Sequence, residues 1–306
     1  MRAFRFSCNV FGVQTRDAFA DRCRLAERAG YDTIFAVDHL GAPAPFPVLI
    51  AAAAATDRLR VGTLVLNVGF WNPALLAREV ATADILTDGR LELGLGAGHM
   101  KSEFDEAGIA WEPFGARAAR LAETIRTLEH CFRDGGQAGL PGGSAPQPVQ
   151  RRGFHGSGPP LIIGGTGDRI LTIAAEHADI VAIAGAYQVE GGPPGTFRLA
   201  TADETGERVR FARARAGERA DEIEWHLLLQ MVIETNDRRA TAEKLAARLG
   251  PAMSVEETLQ TPFLLIGTVD EMAEQLARNR ERYGFTYITV HEPYLEAFAP
   301  VIERLR

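Results

Sequence analysis

Three imidazoles stand where apolar runs stop. "DTIFAVD" (32–38) ends at Asp38 and is followed by His39. "RLELGLG" (90–96) runs through Ala97 and Gly98 into His99. "FTYITVH" (285–291) closes on His291. An imidazole titrates near neutrality and suits proton transfer, and a carboxylate beside it can orient the ring or take a ligand donor. A fourth run, "PLIIGG" (160–165), leads into Thr166 and Gly167. Glycines between a strand and a helix start leave backbone N–H groups open, and with the helix dipole they favour an anion such as phosphate. Gly164, Gly165, Thr166 and Gly167 are therefore expected to cradle a phosphate, with the Thr166 hydroxyl as a further donor. Two more runs end in polar groups, at Cys8-Asn9 and at Asn67. One such histidine would count as a satisfied strand end. A set of them forms a reaction mouth only if the strands run the same way.

The chain carries the elements for that arrangement. Strand candidates fall at 3–10, 32–38, 59–67, 90–96, 160–165, 178–184, 223–233 and 285–291, near-continuous apolar runs of the kind parallel sheets bury on both faces. Helical patterns lie between them. Residues 16–29 end at Gly30, Asn72-Pro73 opens a helix over 73–86, and 116–132 repeats Ala and Leu at helical spacing. Thr268 and Gly284 bracket 269–283, and a last helix covers about 294–305. Eight strand–helix units joined by crossovers predict one α/β domain over 1–306, a (β/α)8 TIM barrel, with an open doubly wound sheet as the competing topology. The Gly/Pro-rich stretch 133–160 reads as an insertion between the fourth and fifth strands, folding over the mouth as a lid. Its Arg151 and Arg152 are candidates for the anionic tail of a cofactor.

"GLGAGHM" (94–100) lacks the sixth-position glycine of a dinucleotide fingerprint, since His99 stands there. Either it is a tight turn, or Gly96 and Gly98 let a flat ring lie against the backbone. No metal site is expected: His39, His99 and His291 lie on separate strands without the HxH or carboxylate pattern of a hydrolase. His130, His155, His177 and His226 read as structural, and Glu103 and Asp105 as a solvated helix start, with the alternative that either faces the cup. Cys8, Cys23 and Cys131 are scattered and odd in number, so buried thiols rather than disulfides are expected.

The bulk numbers narrow the partners. The 306 residues are 46% hydrophobic and 24% charged, with formal charge −7. That balance argues against nucleic acid or an anionic membrane. No apolar run approaches the roughly 18 residues of a membrane span, and the N-terminus has no signal-like core, so a cytoplasmic protein is expected.

Four stretches carry a family resemblance: "LAERAGYDTIFAVDHL", "RLRVGTLVLNVGFWNPALLAREVATADILTDGRLELGLGAG", "PPLIIGGTGDRILTIAAEHADIVAI" and "TPFLLIGTVDEMAEQLARNRERYGFTYITVHEP". In this order they resemble the bacterial luciferase-like superfamily, most nearly its coenzyme F420-dependent oxidoreductases. The resemblance implies a (β/α)8 barrel holding F420, or alternatively FMN, in its mouth. It implies that Asp38-His39 follows strand two with the histidine near the reactive C5 face. It puts a non-proline cis peptide at Leu64-Val65, behind the ring, and the ring-contacting turn at Ala97-Gly98. The phosphate turn would be Gly164–Gly167, and Asn67 at the end of strand three is grouped with the cofactor residues. His39 and His99 are the catalytic candidates. Some sugar-phosphate dehydrogenases of this branch carry a glutamate acid where this chain has His99, so that role does not transfer. The activity implied is hydride transfer to or from a small organic substrate, in a homodimer. An FMN-dependent monooxygenase and a non-catalytic flavin-binding protein are the alternatives.

Overall fold

The structure is a computed structural model that describes residues 2–133, 146–189, 191, 196–249 and 253–306. The chain opens with β1 (Arg5–Val10), α1 (Arg16–Arg28), β2 (Thr33–Ala36), α2 (Pro45–Ala54), β3 (Arg60–Thr63), β4 (Leu66–Asn67), α3 (Pro73–Leu86) and β5 (Leu91–Gly96). Next come α4 (Lys101–Glu106), α5 (Phe114–Phe132), β6 (Leu161–Gly165), α6 (Asp168–His177), β7 (Ile180–Ile183), β8 (Ala186–Gln188) and β9 (Phe197–Leu199). It finishes with α7 (Ala202–Ala216), β10 (Glu224–Leu228), β11 (Met231–Glu234), α8 (Arg238–Leu249), α9 (Val255–Gln260), β12 (Leu264–Gly267), α10 (Val269–Tyr283), β13 (Phe285–His291) and α11 (Leu295–Leu305).

The main sheet runs β3-β2-β1-β13-β10-β7-β6-β5-β4, all parallel, and a β3–β5 pairing closes it. β3 and β4 together are the third barrel strand, interrupted where the Leu64-Val65 peptide is cis. The result is an eight-stranded (β/α)8 barrel, and closure rules out the open sheet. Its helices start where local chemistry says they should. Asn72 Oδ1 accepts from the Ala74 and Leu75 amides ahead of Pro73. Thr268 and Glu271 form a reciprocal capping box, and Gly284 ends that helix in the left-handed region at φ 86°.

The large apolar core lies between strands and helices. The barrel interior holds a smaller cluster of Phe35, Ile162, Ile180, Ala182 and Tyr287, with Leu64 packed against it. Toward the amino ends of the strands that interior closes on Glu92, held by Arg5, by Arg60 at 2.6 Å and by the Tyr287 hydroxyl at 2.8 Å.

Three expectations need correction. The apolar run 223–233 is two strands. After Leu228 the Leu229 amide bonds Thr289 O and the Gln230 amide bonds Phe263 O, so β11 leaves the barrel and pairs with β12, itself unpredicted. A second small sheet, the antiparallel pair β8–β9, was also missed. Finally, the described part of the 133–160 insertion does not cover the mouth. The Val149 and Gln150 amides bond Asp84, and the Gln150 side chain bonds Leu91 O and Arg60, at the starts of β5 and β3. Arg151 bonds the Phe132 and Ser157 carbonyls there. A helix-to-strand connection in a barrel ends at the amino-terminal rim, opposite the mouth. Residues 134–145 of that segment lie outside the described residues. Among the described residues, no helix is long and apolar enough to cross a membrane.

Candidate active site

Parallel strands put all their carboxyl ends on one rim, so His39, Asn67, His99, the 164–167 turn and His291 share the same mouth. Within it, His39 and His99 meet edge to face with ring centroids 5.8 Å apart. Phe197, on β9, lays its ring 5.7 Å from that of His99. His39 Nδ1 lies 2.8 Å from Glu103 Oε1. A carboxylate accepts, so Nδ1 carries the proton and the second ring nitrogen is the one free to exchange a proton with a ligand. Glu103 sits in the first turn of α4 and turns inward; of its two readings the solvated helix start is corrected and the one facing the cup holds. Its neighbour Asp105 does face solvent, paired with Lys101.

Asp38 organises the rim. Its Oδ2 accepts from the Asn67 amide at 2.9 Å and from Trp71 Nε1 at 3.0 Å. Burial pushes the carboxyl above its ordinary value, against these two bonds, which lower it. Asn67 Oδ1 in turn accepts from the Gly69 amide. Burial, then the charge of His39, pushes His99 below the usual imidazole range, so it stands neutral at pH 7.

The glycines of β5 serve the protein first. A Cβ on Gly96 would sit 2.6 Å from Val65 Cγ2, and one on Gly98 would run into the Asn67 side chain at φ 75°. Gly94 likewise yields to the Thr63 carbonyl. The run 94–98 is therefore cut away for the interrupted third strand, and neither a nucleotide turn nor a bare platform for a flat ring is needed to explain it. Arg117, stacked 3.8 Å from the Trp111 ring, ties down the Ala97-Gly98 turn through the Gly98 carbonyl.

The 164–167 turn differs. A Cβ on Gly167 would meet nothing within 4 Å and one on Gly164 only ordinary contacts, while Gly165 is cut away for Ile170, whose Cγ2 would lie 2.5 Å from a Cβ there. Helix α6 begins there without a side-chain cap. The Thr166 hydroxyl accepts, at a long 3.4 Å, from the Ala186 amide. Two further polar atoms lie at this rim. Asn9 and His291 are register partners on β1 and β13, and Asn9 Oδ1 and His291 Nδ1 are buried with no partner among the described residues. Burial also lowers the His291 pKa.

A family model described as luciferase-like monooxygenase matches residues 9–287. The chain belongs to the luciferase-like monooxygenase family. This family member is 34% identical to an F420-dependent glucose-6-phosphate dehydrogenase of Amycolatopsis mediterranei, over 42% of this chain and only 40% of that relative's length. It is 26% identical to a 5,10-methylenetetrahydromethanopterin reductase of Archaeoglobus fulgidus over 92% of this chain and 83% of the relative. In fold it matches the coenzyme F420 dependent tetrahydromethanopterin reductase of Methanopyrus kandleri with TM-score 0.73, at 18% identity and full coverage of both chains.

Sequence reasoning missed Phe197 and Trp71 as parts of this mouth, left Glu103 between two readings, and did not foresee that Asn9 and His291 carry unpartnered atoms. Asn9 and His291 were visible as strand ends, but only the barrel register shows that they sit side by side. Nothing in the run around Phe197 signals that β8–β9 folds back over His99.

Proposed function

We propose that this luciferase-like family member is a coenzyme F420-dependent oxidoreductase moving a hydride between the deazaflavin and a small organic substrate in the barrel mouth. The observation that carries the reading is the pair of buried, partnerless polar atoms, Asn9 Oδ1 and His291 Nδ1, side by side at the carboxyl ends of β1 and β13, on the rim that also bears His39 and His99. Buried polar atoms are costly unless something bonds them, so a polar ligand belongs there. The choice of F420 rests on the relatives' cofactor.

The residues present fit such a group. Leu64 and Val65 would back the ring, with Asp38, Asn67, Ala97 and Gly98 at its edge. Gly164, Gly165, Thr166 and Gly167 would take the phosphate, where the uncapped start of α6 offers open N–H groups and space lies open beside Gly164 and Gly167. The deazaflavin, when bound, supplies or accepts the hydride. The chain's own work is then positioning and proton handling. Glu103 holds the His39 ring in one tautomer, and the second His39 nitrogen gives or takes the substrate proton. Neutral His99 serves as a hydrogen-bond partner to substrate or ring. Asp38 keeps the 67–71 segment in register with the turn at 97–98. We include in the proposal a homodimer, which sedimentation equilibrium tests.

Fluorescence titration of the protein with F420 and with FMN, oxidised and reduced, decides the reading. Saturable F420 binding, with FMN weaker, is the expected result. Tight FMN binding with no affinity for the deazaflavin, and oxygen uptake dependent on reduced FMN, would instead establish the monooxygenase that the family's description favours.

A further inference from the structure

At the opposite rim, three side chains that the proposed reaction does not use converge. Glu129 lies near the end of α5 and His177 is the last residue of α6. His155 sits in a tight turn closed by the Gly153–Gly158 bridge. His177 Nδ1 is 3.1 Å from Glu129 Oε1, and His155 Nε2 is 4.0 Å from the same oxygen. One donor atom from each of the three falls within 4.8 Å of the others. We propose that Glu129, His155 and His177 bind a divalent transition-metal ion, zinc or a similar cation, with water completing its coordination.

Two imidazoles and one carboxylate are a recognised zinc ligand set, and the fourth position then holds water. At bond lengths of about 2.0–2.2 Å, tetrahedral ligand atoms stand about 3.4 Å apart. The spacings to Glu129, 3.1 and 4.0 Å, straddle that value, and half-exposed His155 would have to move inward on binding. Mixed nitrogen and oxygen donors favour zinc, cobalt or nickel over calcium and magnesium, which prefer all-oxygen shells.

Charge and backbone point the same way. Glu129 is only 13% exposed, and among the described residues its ion-pair partners are these two imidazoles. With both rings neutral, the carboxylate keeps an uncompensated negative charge that a cation would satisfy. The turn bearing His155 is also held in an uncommon shape. Phe154 and His155 have φ of 51° and 55°, the left-handed region that non-glycine residues seldom enter. Phe154 is buried edge-on against Phe132 with ring centroids 5.3 Å apart. The Asp179 carboxylate accepts from the Leu161 and Phe154 amides. The turn is thereby pinned with His155 facing the two helix ends. An ion there would fasten α5, α6 and the segment entering β6 at the stabilising end of the barrel, away from the chemistry. Sequence spacing conceals the set, because no two of the three residues lie within a helical turn or a strand of each other.

The test uses tag-free, full-length protein stripped of metal with a chelator and then dialysed. Cobalt(II) is titrated in and followed by visible absorption, and zinc chloride then competes. The wild type should bind one equivalent of cobalt with the strong ligand-field bands of a low-coordinate site, and zinc should displace it. Glu129→Gln and His155→Asn should each weaken binding about tenfold or more. Asparagine tolerates the left-handed backbone, so H155N should fold normally. Zinc should raise the melting midpoint of the wild type and leave that of H155N unchanged. Absence of saturable binding, or equal affinities for wild type and H155N, would overturn the site and reduce the cluster to a hydrogen bond between His177 and Glu129.

Discussion

The two ends of the barrel interior are both polar, yet they are built on opposite terms. At the amino-terminal end Glu92 is fully buried and every charge near it is answered. Arg5 and Arg60 bond its carboxylate, Tyr287 donates to it, and Arg5 also reaches Glu224 at 2.7 Å. Burial alone would raise the Glu92 pKa, but the two guanidiniums hold it below its ordinary value. At the carboxyl end the same strands β1 and β13 present Asn9 Oδ1 and His291 Nδ1 with nothing to bond among the described residues. A saturated buried network defines the fold, while an unsaturated one waits for a ligand.

The sharpest break of that comparison is Glu92→Gln. It removes the charge that compensates two partly buried guanidiniums, and stripping one partner from a buried pair costs up to about 3–5 kcal/mol. Urea unfolding should show that loss, while the fraction still folded binds F420 as the wild type does. If E92Q left stability intact and weakened the cofactor instead, the two ends would not be divided as described. His39→Gln is the converse change. Substrate-panel screening with reduced F420 supplies an acceptor, and single-turnover hydride transfer to it should slow about a hundredfold or more, the usual share of a proton-transferring group. Unfolding should stay within about 0.5 kcal/mol of wild type, as for other surface-accessible changes.

Legibility in the sequence follows the same division between local and distant causes. The bounds of α3 and α10 were readable because Asn72-Pro73 and Thr268…Gly284 are caps that act on their own helices. The place of Asp38, His39 and the 164–167 glycines at one rim was readable because strand ends repeat a pattern along the chain. What failed depends on partners far away in sequence. Leu228 and Met231 look alike in an apolar run, and only Phe263 and Thr289 decide that one stays in the barrel and the other leaves. Glu103 looks like any first-turn acid until His39 is placed opposite. The 133–160 segment was assigned to the mouth on its glycine and proline content, although the order helix-then-strand already sends its described part, 146–160, to the other rim.

His226 lies between the two ends and offers a pH test. Its Nε2 meets Thr289 Oγ1 at 2.6 Å, its Nδ1 has no partner among the described residues, and burial pushes its pKa down to about 3. In the unfolded chain the value is roughly 6.5. Below that pH the unfolded chain binds a proton that the folded barrel refuses, so stability is full above about 6.5 and falls as pH drops toward 3. Between pH 8 and 5 the cost should be about 2 kcal/mol, from a slope approaching 1.4 kcal/mol per pH unit. His99 and His291 are lowered too and add in the same direction. Carboxylates held low, such as Glu204, brought down to about 2 by Arg198, contribute only below about 4.5. Asp38, Asp179 and Glu224, raised by burial, work against the histidines as pH falls, so the His226 share is read only from the difference between wild type and variant. Unfolding curves of wild type and His226→Gln across the window should differ in slope by the His226 share. Parallel curves would mean that water already reaches the imidazole and that the middle of the barrel belongs with the open end.

The smallest expected effect tests where the mouth stops. Phe197 is 42% exposed, on a short antiparallel pair that contributes nothing to barrel closure, and its ring rests on His99. An exposed aromatic edge gains little from folding, but over a bound ring or substrate it contributes about 1 kcal/mol. Phe197→Ala should therefore raise the F420 or substrate dissociation constant about fivefold, the equivalent of that energy, and leave the unfolding midpoint where it was. The opposite split, lost stability with unchanged affinity, would assign β8–β9 to the scaffold and shrink the mouth to the strand ends alone. The expected split would show that a side chain can belong to the site purely because the fold has no use for it.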